Sequence, residues 1–201
     1  MITKWNYQPL TLQQKTQADE LLPVCGGAEA IAELLIRRGV ASPREAQAFF
    51  SPAIADLHNP FLMPGMDIAV NRLNRAMGAK ERIMIYGDYD VDGTTAVALV
   101  YKYLQNYYSN IEYYIPTRYE EGYGISLKSI DYAAENDVKL VIVLDCGIKA
   151  IDEITYAKEK GIDFIICDHH VPDEILPPAV AILNPKMPGS TYPCPHLSGC
   201  G

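Results

Sequence analysis

The sequence predicts an α/β protein: a doubly wound, mainly parallel five-stranded sheet with flanking helices, preceded by a helical N-terminal segment. Three observations predict it. From Glu81 onward, short β-branched and aliphatic runs alternate with longer segments of helical spacing. The runs are continuous, as in Val141-Ile142-Val143-Leu144, which suits strands buried on both faces. Helical segments lie between the first four runs, so right-handed crossovers bring the strands together in parallel.

The elements follow in chain order. A helix is predicted over Ala28–Arg38. A second starts at Ser42-Pro43, with Ser42 as N-cap and Pro43 as the first helical residue. Asn59-Pro60 and Met63-Pro64-Gly65 interrupt the chain. Asp67 then caps a helix whose Val70, Leu73 and Met77 form one apolar stripe, ending near Gly78. These helices are assigned packing and no chemistry. Strands are predicted at Arg82–Gly87, Ile111–Ile115, Leu140–Leu144, Phe164–Cys167 and Val180–Leu183. Helices are predicted at Gly93–Tyr108, Ser126–Asn136 and Lys149–Lys160. The stretch from Pro185 to Gly201 is rich in Pro, Gly and Ser. The domain boundary is therefore placed between a lead segment, residues 1–80, and an α/β domain, residues 81–201.

Composition narrows the function classes. With 201 residues, 49% hydrophobic and 21% charged, the chain can bury a sizeable core. No apolar run approaches the ~20 residues of a membrane span, and no basic-then-apolar signal segment opens it. Its five cysteines are odd in number and contain no Cys-x-x-Cys pair, which fits reduced thiols and a cytoplasmic location. A net charge of −8 argues against broad electrostatic capture of nucleic acid by this chain alone.

Parallel strands direct their carboxyl ends to one edge of the sheet, where ligands bind in such folds. Asp88, Asp90 and Asp92 follow the first strand and Arg118 the second. Asp145 follows the third, Asp168-His169-His170 the fourth and Asn184 the fifth. Carboxylates on alternate residues cannot neutralise one another, and a divalent cation is their natural partner. Imidazole beside carboxylate points to Mn²⁺, Zn²⁺ or Fe rather than Ca²⁺. An EF-hand is excluded because its twelfth position, Leu99, offers no carboxylate. Two adjacent histidines share a site only where a strand gives way to a loop, and Val171-Pro172 supplies that exit. His169 is then assigned to metal, His170 to a substrate phosphate and Asp168 to a supporting acceptor role. Cys146 lacks the Cys-x5-Arg phosphate loop, since Asp152 stands at the Arg position, so it reads as a small buried thiol. Gly122-Tyr123-Gly124 lacks the third glycine of a dinucleotide fingerprint, and no Gly-Lys-Ser/Thr occurs. Arg118 and Tyr123 can contact phosphate and stack on a base. The Tyr-rich stretch from Tyr101 to Tyr119 is assigned to packing.

Five segments occur in a familiar order: Tyr86-Gly-Asp-Tyr-Asp-Val-Asp-Gly-Thr-Thr95, Arg118-Tyr-Glu-Glu-Gly-Tyr-Gly-Ile125, Val143-Leu-Asp-Cys-Gly-Ile148, Asp168-His-His170 and Leu197-Ser-Gly-Cys-Gly201. Together they resemble the DHH phosphoesterase superfamily, and within it the RecJ single-strand-specific DNA exonucleases. The Asn59–Pro64 lead-in is similar to RecJ as well. The resemblance implies a two-metal phosphodiesterase, using Mn²⁺ or Mg²⁺, that removes nucleotides from the 5′ end of single-stranded DNA in repair and recombination. It implies Asp90, Asp92, Asp145 and His169 as metal ligands. It also implies His170 at the scissile phosphate and Asp88 as an acidic catalytic residue. Arg118, Tyr123, Gly124, Ser198 and Gly199 are assigned to substrate.

RecJ enzymes continue beyond the Ser-Gly-Cys-Gly run to a further metal-binding Asp and to domains that grip the strand. The chain is therefore expected to be an N-terminal fragment whose partners include those C-terminal domains, and to lack processive nuclease activity alone. Two other readings compete. One is a DHH phosphoesterase of short oligonucleotides, cyclic dinucleotides or pyrophosphate; the other is a non-catalytic relative kept for binding.

Overall fold

The computed structural model describes residues 6–201, and the chain divides into two compact units after Leu57. In the first, helices α1 (Leu12–Leu21), α2 (Glu29–Arg37) and α3 (Pro43–Phe50) enclose Leu21, Ala32, Leu35, Ile36 and Ala46. α3 begins as expected. Glu45 N donates to Ser42 Oγ at 3.3 Å, and the Glu45 carboxylate accepts from Ser42 N at 3.0 Å, a reciprocal capping box. The sequence reading missed α1, whose buried residues are only Ala18 and Leu21, too few for an apolar stripe. Its signal is the Thr11-x-x-Gln14 capping box, bonded at 3.3 and 3.0 Å.

The second unit starts at His58 and so includes the last part of the lead segment. Helix α4 (Met66–Ala79) belongs with the sheet because Ala69 and Ala76 pack into its core. Its cap differs from expectation. Gly65, at φ 86°, is the N-cap, Asp67 lies in the first turn, and the helix runs through Gly78 to end before left-handed Lys80. The buried face is Ala69, Arg72 and Ala76, with Val70, Leu73 and Met77 only half-buried. Arg72 is tolerated inside because it is paired. Its Nε donates to Asp163 at 2.6 Å, and its guanidinium meets Glu81 at 2.7 Å.

Strands β1 (Arg82–Gly87), β2 (Ile111–Tyr114), β3 (Val138–Leu144), β4 (Asp163–Cys167) and β5 (Ala181–Leu183) form one parallel sheet in the order β2-β1-β3-β4-β5. Helices α5 (Val91–Leu104), α6 (Leu127–Glu135) and α7 (Ile151–Glu159) connect the first four strands. Side chains alternate between the two faces. Ile83, Ile85, Leu140 and Ile142 pack with α4 and α5, while Met84, Tyr86, Val141 and Val143 pack with α6 and α7. Both faces are covered, the doubly wound arrangement read from the continuous apolar runs. Chain progression reverses between β1 and β3, and that switch point opens a crevice at the carboxyl ends of the strands.

Candidate metal centre

Strand register builds the site before any side chain does. Gly87 pairs with Leu144, Leu144 with Cys167, and Cys167 with Leu183. The next residue on each strand therefore stands beside its neighbours: Asp88, Asp145, Asp168 and Asn184, exposed by 0, 2, 4 and 1%. Four polar side chains thus replace apolar ones in a single row along the crevice. Asp145 turns the chain through a left-handed conformation at φ 64°, which Asp tolerates better than most residues.

Asp168 organises the Asp-His-His loop. Its Oδ1 accepts from the backbone N of His169 at 2.7 Å and of His170 at 3.1 Å, and lies 2.7 Å from His170 Nδ1. Its Oδ2 accepts from Ile148 N at 3.0 Å, tying the loop to the turn before α7. Asn184 Nδ2 donates to His170 O at 2.9 Å. The supporting carboxylate therefore orients the ring of His170, while His169 points to the neighbouring acids. His169 Nε2 lies 3.1 Å from Asp145 Oδ1 and 3.8 Å from Asp92 Oδ2.

The β1–α5 turn needs two glycines. A Cβ at Gly93 would sit 2.5 Å from Asp88 O, and one at Gly87 would sit 2.9 Å from Gly93 O, so α5 starts in direct contact with the strand end. Asp90 caps α5, its Oδ1 accepting from Gly93 N at 2.9 Å. Asp92, in the first turn, accepts from Gly199 N at 2.8 Å on Oδ2 and from Cys200 N at 2.6 Å on Oδ1. Asp88 lies wholly buried beneath, its Oδ1 accepting from Gly124 N at 3.4 Å.

Asp145, His169 and His170 each bring a donor atom within 4.8 Å of the other two. Asp145 Oδ1 and Asp88 Oδ2 are buried with no hydrogen-bond partner; His169 Nε2 is near Asp145 in distance but not in hydrogen-bond orientation. Burial, then the charges of Asp92 and Asp90, push the Asp145 carboxyl up to about 7. An orphaned carboxylate oxygen among imidazoles and further carboxylates is a donor set that fits a divalent cation of the Mn²⁺ type. The structure groups Asp145, His169 and His170, sets Asp92 3.8 Å from His169, and uses Asp90 as a helix cap near enough to act on Asp145.

On the outer side, Tyr123 Oη lies 3.3 Å from His170 Nε2. Arg118 stacks over Tyr89 at 5.6 Å, and Tyr89 meets Tyr123 edge-on at 6.5 Å. Gly124 is braced on both sides, its carbonyl accepting from Tyr86 Oη at 2.6 Å. Glu121, which the sequence reading passed over, holds this loop by accepting from Ser126 Oγ at 2.6 Å, Thr117 N at 3.1 Å and Tyr114 Oη at 3.0 Å. Burial raises its carboxyl, but these hydrogen bonds outweigh that and leave it below the usual range. Ser198 Oγ accepts from Gly201 N at 3.1 Å, closing its own turn. Cys146 is 1% exposed, and burial holds its thiol protonated. A cavity of about 480 Å³ beside His170 is lined by Tyr123, Ile125, Cys146, Ile148, Lys149 and Glu153. Among the described residues, no helix is long and apolar enough to cross a membrane.

Comparison with known proteins identifies relatives of this chain. Residues 82–201 match the model of the DHH family, N-terminal domain. The single-stranded-DNA-specific exonuclease RecJ of Bacillus subtilis is 42% identical over 171 residues, which is 85% of this chain and 22% of that protein. Its counterpart in Haemophilus influenzae is 40% identical over 144 residues, 71% of this chain and 25% of that one. The chain thus spans about a quarter or less of the length of these relatives. A crystal structure of exonuclease RecJ bound to manganese superposes with a TM-score of 0.65 at 29% identity, covering 72% of this chain and 37% of that one. RecJ of Thermus thermophilus in complex with Mn²⁺ shares the fold, with a TM-score of 0.66 at 24% identity over 92% of this chain and 25% of that one.

Proposed function

We infer the function from one premise: this chain belongs to the DHH family. We propose that it carries metal-binding residues of a phosphodiesterase that removes nucleotides from the 5′ end of single-stranded DNA. The observation that carries this is the orphaned Asp145 carboxylate facing His169, His170 and Asp92 at the ends of three adjacent strands and their loops. Asp92, Asp145 and His169, with Asp90 at the edge, would hold Mn²⁺ or Mg²⁺. When bound, such ions polarise a phosphoryl oxygen and lower the pKa of a bound water.

The remaining work falls to the chain itself. Asp168 favours the form of His170 protonated on Nδ1, leaving Nε2 facing Tyr123 and the open crevice. Nε2 is then the ring atom placed to meet a phosphate oxygen as negative charge builds there. Arg118, stacked on Tyr89, offers a donor to phosphate, and Tyr123 offers a ring face to a base. Single-stranded DNA, and domains matching the rest of the relatives' length, are the proposed partners.

Two measurements test this. At Mn²⁺ about 100-fold above Kd, binding adds about 2.7 kcal/mol to stability, so the unfolding temperature should rise by about 5–11 °C. Asp92→Ala with His169→Ala should abolish the rise. With domains matching the rest of the relatives' length present, a 3′-labelled single strand should shorten stepwise from its 5′ end with a blunt duplex spared. Hydrolysis of a dinucleotide or cyclic dinucleotide alone would favour a small-substrate phosphoesterase, and metal binding without hydrolysis a binding relative.

A further inference from the structure

We propose that the Leu197–Gly201 turn is a backbone clamp that positions Asp92 for metal, with Gly199 and Cys200 acting through their N–H groups. This rests on the metal-centre reading above and assigns the turn a role that its expected contact with substrate does not include.

The geometry is specific. Gly199 N and Cys200 N donate to the two different oxygens of one carboxylate, at 2.8 and 2.6 Å, across 107 and 108 residues of sequence. Distances this short are those of charge-assisted bonds. A carboxylate oxygen has two acceptor sites, so each N–H occupies one and leaves one for a cation. Held at both oxygens, Asp92 cannot rotate about its terminal bond, and its Oδ2 stays directed at His169, 3.8 Å away.

The turn is built to present these donors. Gly201 N donates to Ser198 O at 3.0 Å and to Ser198 Oγ at 3.1 Å, so the turn closes on itself and aims the two intervening N–H groups outward. Glycine at 199 lets the turn come this close, because a Cβ there would overlap the Asp145 carboxylate unless the turn moved. The same residue therefore touches two expected ligands, Asp92 by hydrogen bond and Asp145 by contact. With both N–H groups engaged, the turn offers no free backbone donor at Gly199 or Cys200 to a phosphate.

The clamp is testable with and without metal. Cys200→Pro removes one donor, Gly199→Ala pushes the turn off Asp145, and Cys200→Ser keeps the backbone intact. Loss of such supporting partners typically weakens metal binding by about 10–100-fold. Calorimetric titration with Mn²⁺ should show that loss for Cys200→Pro and Gly199→Ala, with Cys200→Ser unchanged. Far-UV circular dichroism and metal-free unfolding temperature check that the variants fold. In the metal-free chain, the Gly199 and Cys200 amide protons should resonate downfield and shift on Asp92→Asn but not on Asp90→Asn. Wild-type Mn²⁺ affinity in both Cys200→Pro and Gly199→Ala overturns the clamp, as do amides indifferent to Asp92→Asn. Equal loss in Cys200→Ser also overturns it, by making the thiol a ligand. If the wild-type chain binds no Mn²⁺ yet its amides respond to Asp92→Asn, the clamp stands and the metal reading fails.

Discussion

At Asp145, burial and then the charges of Asp92 and Asp90 lift a carboxyl that ordinarily titrates near 4 up to about 7. The consequence for stability has a definite sign. Between those two values the metal-free folded chain holds a proton that the unfolded chain has already released. Stability therefore falls as pH rises through that window and levels off above about 7. Thermal unfolding in a chelator from pH 4 to pH 8 should show this decline, and Asp145→Asn should flatten it. Matching slopes in the two proteins would remove Asp145 as the cause. Asp168, in the same row, is held differently: its two oxygens accept three backbone N–H groups and face one imidazole. The alternating carboxylates and the paired histidines were legible one by one in the sequence. The division of labour between His169 and His170 was assigned from the sequence as well; the bonds of Asp168 to Ile148 N and to the His169 and His170 backbone were not, because they form only once the strand ends are side by side.

Among the elements, the β1–α5 junction does most to place the carboxylates. α5 begins so close to β1 that a Cβ at Gly93 would meet Asp88 backbone atoms at 2.5–2.9 Å, and backbone cannot swing aside. Overpacking of this kind costs about 1–3 kcal/mol, so Gly93→Ala should lower the unfolding temperature by about 2–12 °C and weaken Mn²⁺ binding as Asp90 and Asp92 move. Gly78 is a contrasting case: it lies inside α4 with open space where its Cβ would be. Gly78→Ala should stabilise the chain by about 0.5–1 kcal/mol, measured by the same unfolding experiment. Equal effects at the two positions would show that close approach at Gly93 is not what matters. Strand positions were legible because apolar runs mark them to within two residues. The cap of α4 was not: Asp67 is a good capping residue in isolation, but the left-handed turn at Gly65 starts the helix earlier.

For the molecule as a whole, charge limits what binds. With a net charge of −8, general attraction to a nucleic-acid backbone is unfavourable, so any grip on DNA must be local to the crevice. Fluorescence anisotropy with a labelled single strand should show weak binding in a chelator and at least tenfold tighter binding with Mn²⁺, lost in Asp145→Asn. Metal-independent binding of equal strength would place the contact elsewhere.

The sequence by itself determined the sheet, its parallel sense and the ring of acids and imidazoles at one edge, because strand periodicity and crossover handedness are local rules that hold wherever they apply. It did not determine the order β2-β1-β3-β4-β5 or the register that sets Asp88, Asp145, Asp168 and Asn184 in one row. Those depend on which strands pair, a choice made by the whole core at once. The division after Leu57 and the seating of Gly199 and Cys200 on Asp92 are likewise tertiary facts. Contacts across more than a hundred residues leave no periodic trace, since nothing local in either segment requires the other.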